Sequence, residues 1–200
     1  DRNEPKFLEI RKKYNLPYYF ILYLGAMEPR KNIVGIIKAY NQLRRLKNPE
    51  LDKYNLVIAG AEGWKSGKII KEIENSPFKS KIMNIGFIET DEKPYLYNLT
   101  SLFVYPSLFE GFGLPPLEAM SSGAPVITSN NSSLPEIAGN AGILIDPEKP
   151  DEISRAMREI LLNKNLRLEF SKKGLEQAKK FSWKKTARSF LKVVKNLENE

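Results

Sequence analysis

The chain has 200 residues, 42% hydrophobic and 28% charged, with a formal net charge of +8; this composition fits one globular domain with a sizeable core. It holds no cysteine and no histidine, which excludes disulfides, thiolate or imidazole metal ligands, a cysteine nucleophile and a histidine general base within these residues. No apolar run nears the ~20 residues of a membrane-spanning helix, nothing at the start reads as a signal peptide, and a chain that begins at Asp1 reads as a segment of a longer protein.

In chain order, residues 19–24 are apolar and aromatic, end at Gly25 and predict a buried strand. Residues 33–46 place apolar side chains at 33, 36, 37, 40 and 43, a helical spacing, with Asn32 as its N-cap. Residues 56–59 predict a second strand, 64–74 a helix, 82–88 a third strand or a strand pair around Gly86, and 91–99 a helix capped by Thr90 or Asp91. Residues 102–105 predict a fourth strand, stopped by Pro106. A helix over 115–122 ends at Gly123. Strands over 125–128 and 142–145 flank a short helical turn over 134–138. From Asp151 onward the pattern is helical. Short apolar strands alternating with helices predict a Rossmann-like, doubly wound parallel sheet of about six strands with C-terminal helices. Residues 1–180 form the expected domain and 181–200 a C-terminal helix.

The positive charge is local. Residues 164–195 hold eleven Lys or Arg against two acids, a net of +9. A solvated helical face is one reading of this patch. Contact with an anionic membrane surface or a nucleic acid is another, although few aromatics are expected to be free for base stacking.

In open α/β sheets ligands bind beyond the C-terminal ends of the strands, so the loops after Gly25, Gly60, Gly86 and Pro106 are expected to face one crevice. The first carries Arg30 and Lys31. Paired cations there either grip a phosphate or stand as solvated charges before a helix. The loop after Pro106 is richer. Glu110 and Glu118 lie eight positions apart, separated by Gly111, Phe112, Gly113, Leu114, two prolines and Leu117. The glycines allow a tight path under a sugar, and backbone N–H groups of Gly113, Leu114, Leu117 and Glu118 are the expected phosphate donors at a helix start. Glu118 either favours the helix dipole or accepts from both hydroxyls of a ribose, which a two-oxygen carboxylate suits. Glu110, in the loop, is placed to meet donor-sugar hydroxyls or positive character at an anomeric carbon. No Asp-x-Asp clamp or Walker-type phosphate loop is present, and a serine triad has no histidine to use.

The stretch FVYPSLFEGFGLPPLEAM over 103–120 resembles the E-x7-E signature of retaining glycosyltransferases of the GT-B fold, family four. GAPVITS (123–129), LPEIAG (134–139) and AGILIDP (141–147) continue the resemblance in order, and YLGAMEPRKN (23–32) resembles the family's diphosphate loop. The resemblance implies that this chain is the C-terminal, donor-binding half of a two-domain enzyme. It implies a metal-independent transfer of hexosyl or mannosyl type from a nucleotide diphosphate sugar to a glycan or lipid-linked acceptor, with no cofactor and no nucleic-acid partner. Glu110, Lys31 and Arg30 are then catalytic. Gly25, Phe87, Ile88, Gly111, Phe112, Gly113, Leu114 and Glu118 bind the donor, with backbone near Phe87 and Ile88 meeting the base. Many members carry an arginine where this chain has Ala26, so Arg30 stands in for it. Residues 183–197 resemble the helices that return toward the missing N-terminal domain. The implied place is the cytoplasm, including the inner face of the membrane, and the isolated half is expected to bind nucleotide without turnover. A same-fold epimerase or phosphorylase, or a basic binding module, is the alternative.

Overall fold

The computed structural model describes residues 4–197. Six strands form one sheet: β1 (Phe20–Leu24), β2 (Asn55–Ala59), β3 (Ile82–Gly86), β4 (Leu102–Tyr105), β5 (Val126–Ser129) and β6 (Gly142–Ile145). All pairings are parallel and the spatial order is β3-β2-β1-β4-β5-β6. This is the doubly wound order, with its reversal between β1 and β4. The helices are α1 (Pro5–Lys13), α2 (Ile33–Arg45), α3 (Pro49–Asp52), α4 (Gly67–Glu74), α5 (Lys93–Leu99), α6 (Leu114–Ser121), α7 (Leu134–Ala138), α8 (Pro150–Leu162), α9 (Lys164–Ala178) and α10 (Trp183–Leu197).

Helix α2 buries the apolar stripe its spacing predicts, Ile33, Ile36, Ile37, Tyr40 and Leu43, and packs on α8 and α4. Asn32 caps it, accepting from the Gly35 N–H at 3.2 Å, and donates its amide to Pro147 O at 2.6 Å. One side chain thus ties the start of α2 to the loop after β6. Central strands β1, β4 and β5 are buried along their whole length, as expected of parallel strands covered on both faces.

Several boundaries differ from expectation, each for a local reason. Helix α4 starts at Gly67 rather than 64, because Lys65 adopts a left-handed backbone (φ 58°) and Trp64 is exposed. Strand β3 stops at Gly86, where φ of +71° turns the chain. Helix α5 begins at Lys93 without a side-chain cap from Thr90 or Asp91. Asn163, in extended conformation, divides the C-terminal helical region by accepting from Leu166 N–H at 3.0 Å.

Helix α1 was not expected from the sequence, since it buries only Ile10 fully. It is held on α5 by polar contacts and by Phe7 against Tyr95, ring centroids 5.1 Å apart. Glu92 accepts from Lys13 at 2.7 Å and from Tyr14 at 2.5 Å. Those donors, Lys13 first, hold the Glu92 carboxyl below its usual range. A depressed carboxylate stabilises the fold above its unfolded-state pKa, and the contribution is lost as pH falls through the folded value. Glu92→Gln is therefore expected to cost about 1–2 kcal/mol at pH 7. The gap from the parent chain should close below about pH 4, as read by thermal melting across pH.

Candidate donor site at the sheet reversal

The β1–β4 reversal places two distant loops side by side at the C-terminal ends of their strands. After β1 the chain runs through Gly25 into a 3-10 turn, Pro29–Lys31. After β4 it runs from Pro106 to Gly113 and enters α6. Leu108 N–H and Ser107 Oγ both donate to Arg30 O, at 2.8 and 3.0 Å, stitching the two loops together.

Gly60, at the exit of β2, sets a third loop against the first. A Cβ there would lie 2.0 Å from Gly25 O, so only glycine permits the approach. Gly113 sits at the N-cap of α6 with φ of +105°, and a Cβ would meet Leu134 Cδ2 at 2.9 Å. That conformation turns the loop into the helix.

Arg30, Lys31 and Glu110 converge here. Lys31 Nζ lies 2.5 Å from Glu110 Oε1, and Arg30 Nη1 donates to Glu110 Oε2 at 3.2 Å. Arg30 Nε also pairs with Glu28 at 3.0 Å. Lys31 and Glu110 are only 7% and 8% exposed. Lys31 is buried rather than a solvated charge, Arg30 is half exposed, and carboxylates pair with both. Burial pushes the Glu110 carboxyl up, but the donors around it, Lys31 first, bring it below its usual range. Its backbone is fixed as well: Glu110 N–H donates to Ser132 Oγ at 3.2 Å, and Ser133 Oγ donates to Glu110 O at 3.1 Å.

Glu118 stands on α6, half-buried, with Oε2 accepting from Tyr97 OH at 3.0 Å. The amide donors are fewer than expected. Leu117 N–H is taken by Gly113 O at 3.4 Å, the first bond of α6, and Glu118 follows it inside the helix. With proline at 115 and 116, Gly113 and Leu114 are left as the helix-start donors. Gly111 is exposed, with open space where a Cβ would stand. Phe112 is exposed and meets Phe181 edge to face at 6.2 Å. Phe87 is exposed just after β3, whereas the Ile88 side chain is buried in the core, leaving only its backbone for a ligand.

Sequence reasoning passed over Tyr105 and Tyr97. Tyr105 OH accepts from Lys31 Nζ at 2.5 Å and donates to Glu110 Oε1 at 2.9 Å. As the last residue of a buried strand, Tyr105 stands where ligands bind in such sheets, and that position was the available signal. Nothing local distinguished Tyr97, which is 21 residues from its partner.

Two outcomes follow from this geometry. Lys31→Met removes the foremost donor to the buried Glu110 carboxylate, and is expected to cost about 3 kcal/mol. It should also raise the Glu110 titration midpoint, read by carbon-13 NMR of the carboxyl. Gly60→Ala is expected to destabilise by about 3 kcal/mol or more, since backbone must move to admit the methyl; denaturant unfolding measures it.

Residues 6–177 match the family described as Glycosyl transferases group 1. The chain is 39% identical over 197 residues to O-antigen chain mannosyltransferase B of Escherichia coli, covering 98% of this chain and 51% of that protein. It is 39% identical over 190 residues to the serotype-specific mannosyltransferase WbdA of the same organism, covering 94% of this chain and 23% of that protein. The chain thus spans about half the length of the first relative and about a quarter of the second. Among solved structures, sucrose-phosphate synthase from Thermosynechococcus elongatus superposes with a TM-score of 0.82 at 24% identity, over 96% of this chain and 49% of that one. WaaG, a glycosyltransferase involved in lipopolysaccharide biosynthesis, superposes with a TM-score of 0.75 at 20% identity, over 90% and 48%. The sheet order agrees with one Rossmann-like half of a GT-B fold, and the matched span of 6–177 shows that the chain belongs to the group 1 glycosyltransferases.

Proposed function

We propose that this chain is the donor-binding half of a retaining glycosyltransferase that moves a hexosyl unit, of mannosyl type, from a nucleotide diphosphate sugar to a glycan or lipid-linked acceptor. The observation that carries this reading is the cluster of Lys31, Arg30 and Glu110 at the strand reversal. The names of the mannosyltransferase relatives support the mannosyl assignment.

In this reading the diphosphate takes over the cations that pair with Glu110 and Glu28. Lys31 and Arg30 then meet the negative charge that grows on the leaving diphosphate, which is the task a metal performs in other transferases. The N–H groups of Gly113 and Leu114 add donors. Glu110, relieved of part of its pairing, turns to the donor sugar. Glu118 accepts from the ribose hydroxyls through Oε1, which takes no hydrogen bond among the described residues. The acceptor hydroxyl bonds to the anomeric carbon as the bond to the diphosphate oxygen breaks. With no histidine in this chain, the departing phosphate oxygen is the base this half offers to the acceptor proton.

The acceptor cleft is assigned to the other half of a longer polypeptide. Helix α10 supports this division. Trp183, Phe190, Leu191 and Val193 are exposed on it, Trp183 at 79%, so an apolar face is free to pack on that half. Lys184, Lys185, Arg188, Lys192 and Lys195 on the same helix favour a second role, peripheral contact with an anionic membrane. Among the described residues no helix is long and apolar enough to cross a membrane.

Calorimetric titration with UDP, GDP and ADP, with and without EDTA, tests the reading. One nucleotide should bind irrespective of EDTA. Glu118→Ala should weaken it about tenfold, near 1.4 kcal/mol, and the chain alone should transfer no sugar. Binding of none of the three would count against the donor-site assignment.

A further inference from the structure

Both glutamates of the E-x7-E pair accept a hydrogen bond from a buried tyrosine. Tyr97 OH donates to Glu118 Oε2 at 3.0 Å, and Tyr105 OH donates to Glu110 Oε1 at 2.9 Å. The two tyrosines are joined through Phe103. Tyr97 meets Phe103 edge to face at 5.2 Å, Phe103 stacks on Tyr105 at 5.9 Å, and Tyr105 stacks on Tyr23 at 5.9 Å. All four rings are essentially inaccessible to solvent. Tyr23 OH closes the far end by donating to Ala26 O at 2.9 Å, in the loop that leads to Arg30 and Lys31. An aromatic column therefore runs beneath the site, from the carboxylate on α6 to the cation loop after β1.

We infer that Tyr97 and Tyr105 are positioning residues, which hold Glu118 toward the ribose and Glu110 toward the donor sugar. This rests on the donor-site reading above. A glutamate side chain has three rotatable bonds, and ordering it on ligand binding costs affinity. A buried hydroxyl on a ring packed against other rings cannot swing away, so the carboxylate it holds is ordered before the ligand arrives. Both hydroxyls stay protonated as donors: burial first, then the neighbouring carboxylate, pushes each phenol well above its ordinary range. The anchoring is also asymmetric. On Glu118 the tyrosine occupies Oε2 and leaves Oε1 for a ligand. On Glu110 the tyrosine shares Oε1 with Lys31, so the group that orients the carboxylate also touches the cation assigned to the diphosphate.

The test separates this idea from plain core packing, because Tyr97→Phe and Tyr105→Phe keep the rings and remove only the hydroxyls. Calorimetry is run at a temperature where melting curves show each variant folded, with three probes. These are the best-bound nucleoside diphosphate, its 2′-deoxy form, and its hexose conjugate. The parent chain is expected to prefer the ribose form over the deoxy form and the sugar conjugate over the bare diphosphate. Tyr97→Phe should erase about fivefold or more of the first preference and leave the second. Tyr105→Phe should do the reverse. A packing role would change neither ratio. If the parent shows both preferences and the variants keep them, the positioning roles are overturned while the donor site stands. If the parent binds no nucleotide, the donor-site reading falls, and the positioning roles with it.

Discussion

The pairing of β1 with β4 is the constraint on which the rest depends. Phe20–Leu24 and Leu102–Tyr105 are far apart in the chain yet adjacent in the sheet, in register from Ile21 opposite Leu102. The chain reverses its direction of winding there, so helices leave to opposite faces and the loops between them open a crevice. Lys31 and Glu110 meet in that crevice across 79 residues. Ser107 and Leu108 then secure the meeting by donating to the Arg30 carbonyl. None of these contacts is local, so each exists only because the sheet is complete.

A buried ion pair is a costly thing for a fold to keep, since removing two charges from water offsets most of their attraction. Lys31 and Glu110 are kept in good order by Tyr105, Arg30 and the serines that hold the Glu110 backbone. In the proposed function this arrangement has a use. An unpaired lysine and arginine side by side would repel each other, and in that reading Glu110 and Glu28 remove the repulsion until a diphosphate replaces them. The exchange is one of anion for anion, so the cations need not move far, which suits an electrostatically preorganised site.

The far end of the chain is built on different physics. Helix α9 packs on α6 and buries Gly174 and Gln177, whose amide nitrogen donates to Glu136 O and Ile137 O. Helix α10 follows after residues 179–182 and is exposed almost throughout. A helix with Trp183, Phe190 and Leu191 in water gains little from the domain it is attached to. Its amphipathic pattern has meaning only against a further surface. The chain's span of about half the length of its mannosyltransferase B relative supplies the room for one.

Local sequence was enough for the class of fold, the strands and the loops at their C-terminal ends. Apolar runs, glycine and proline stops and helical spacing act over a few residues, and they were readable over few residues. The glutamate pair around Gly111 and Gly113 was legible for the same reason, as a local pattern with its own chemistry. Boundaries failed where backbone conformation decided them, as at Lys65 and Gly86. Helix α1 was missed because one buried isoleucine and a glutamate 79 residues away hold it, rather than a periodic apolar face. The reduction of the α6 donors from four amides to two came with the first bond of that helix. The pairing of Lys31 and Arg30 with carboxylates and the hydrogen bonds from Tyr97 and Tyr105 to the two glutamates came from long-range packing. Those facts depend on which distant strands become neighbours, and on hydrogen bonds whose partners no local pattern names.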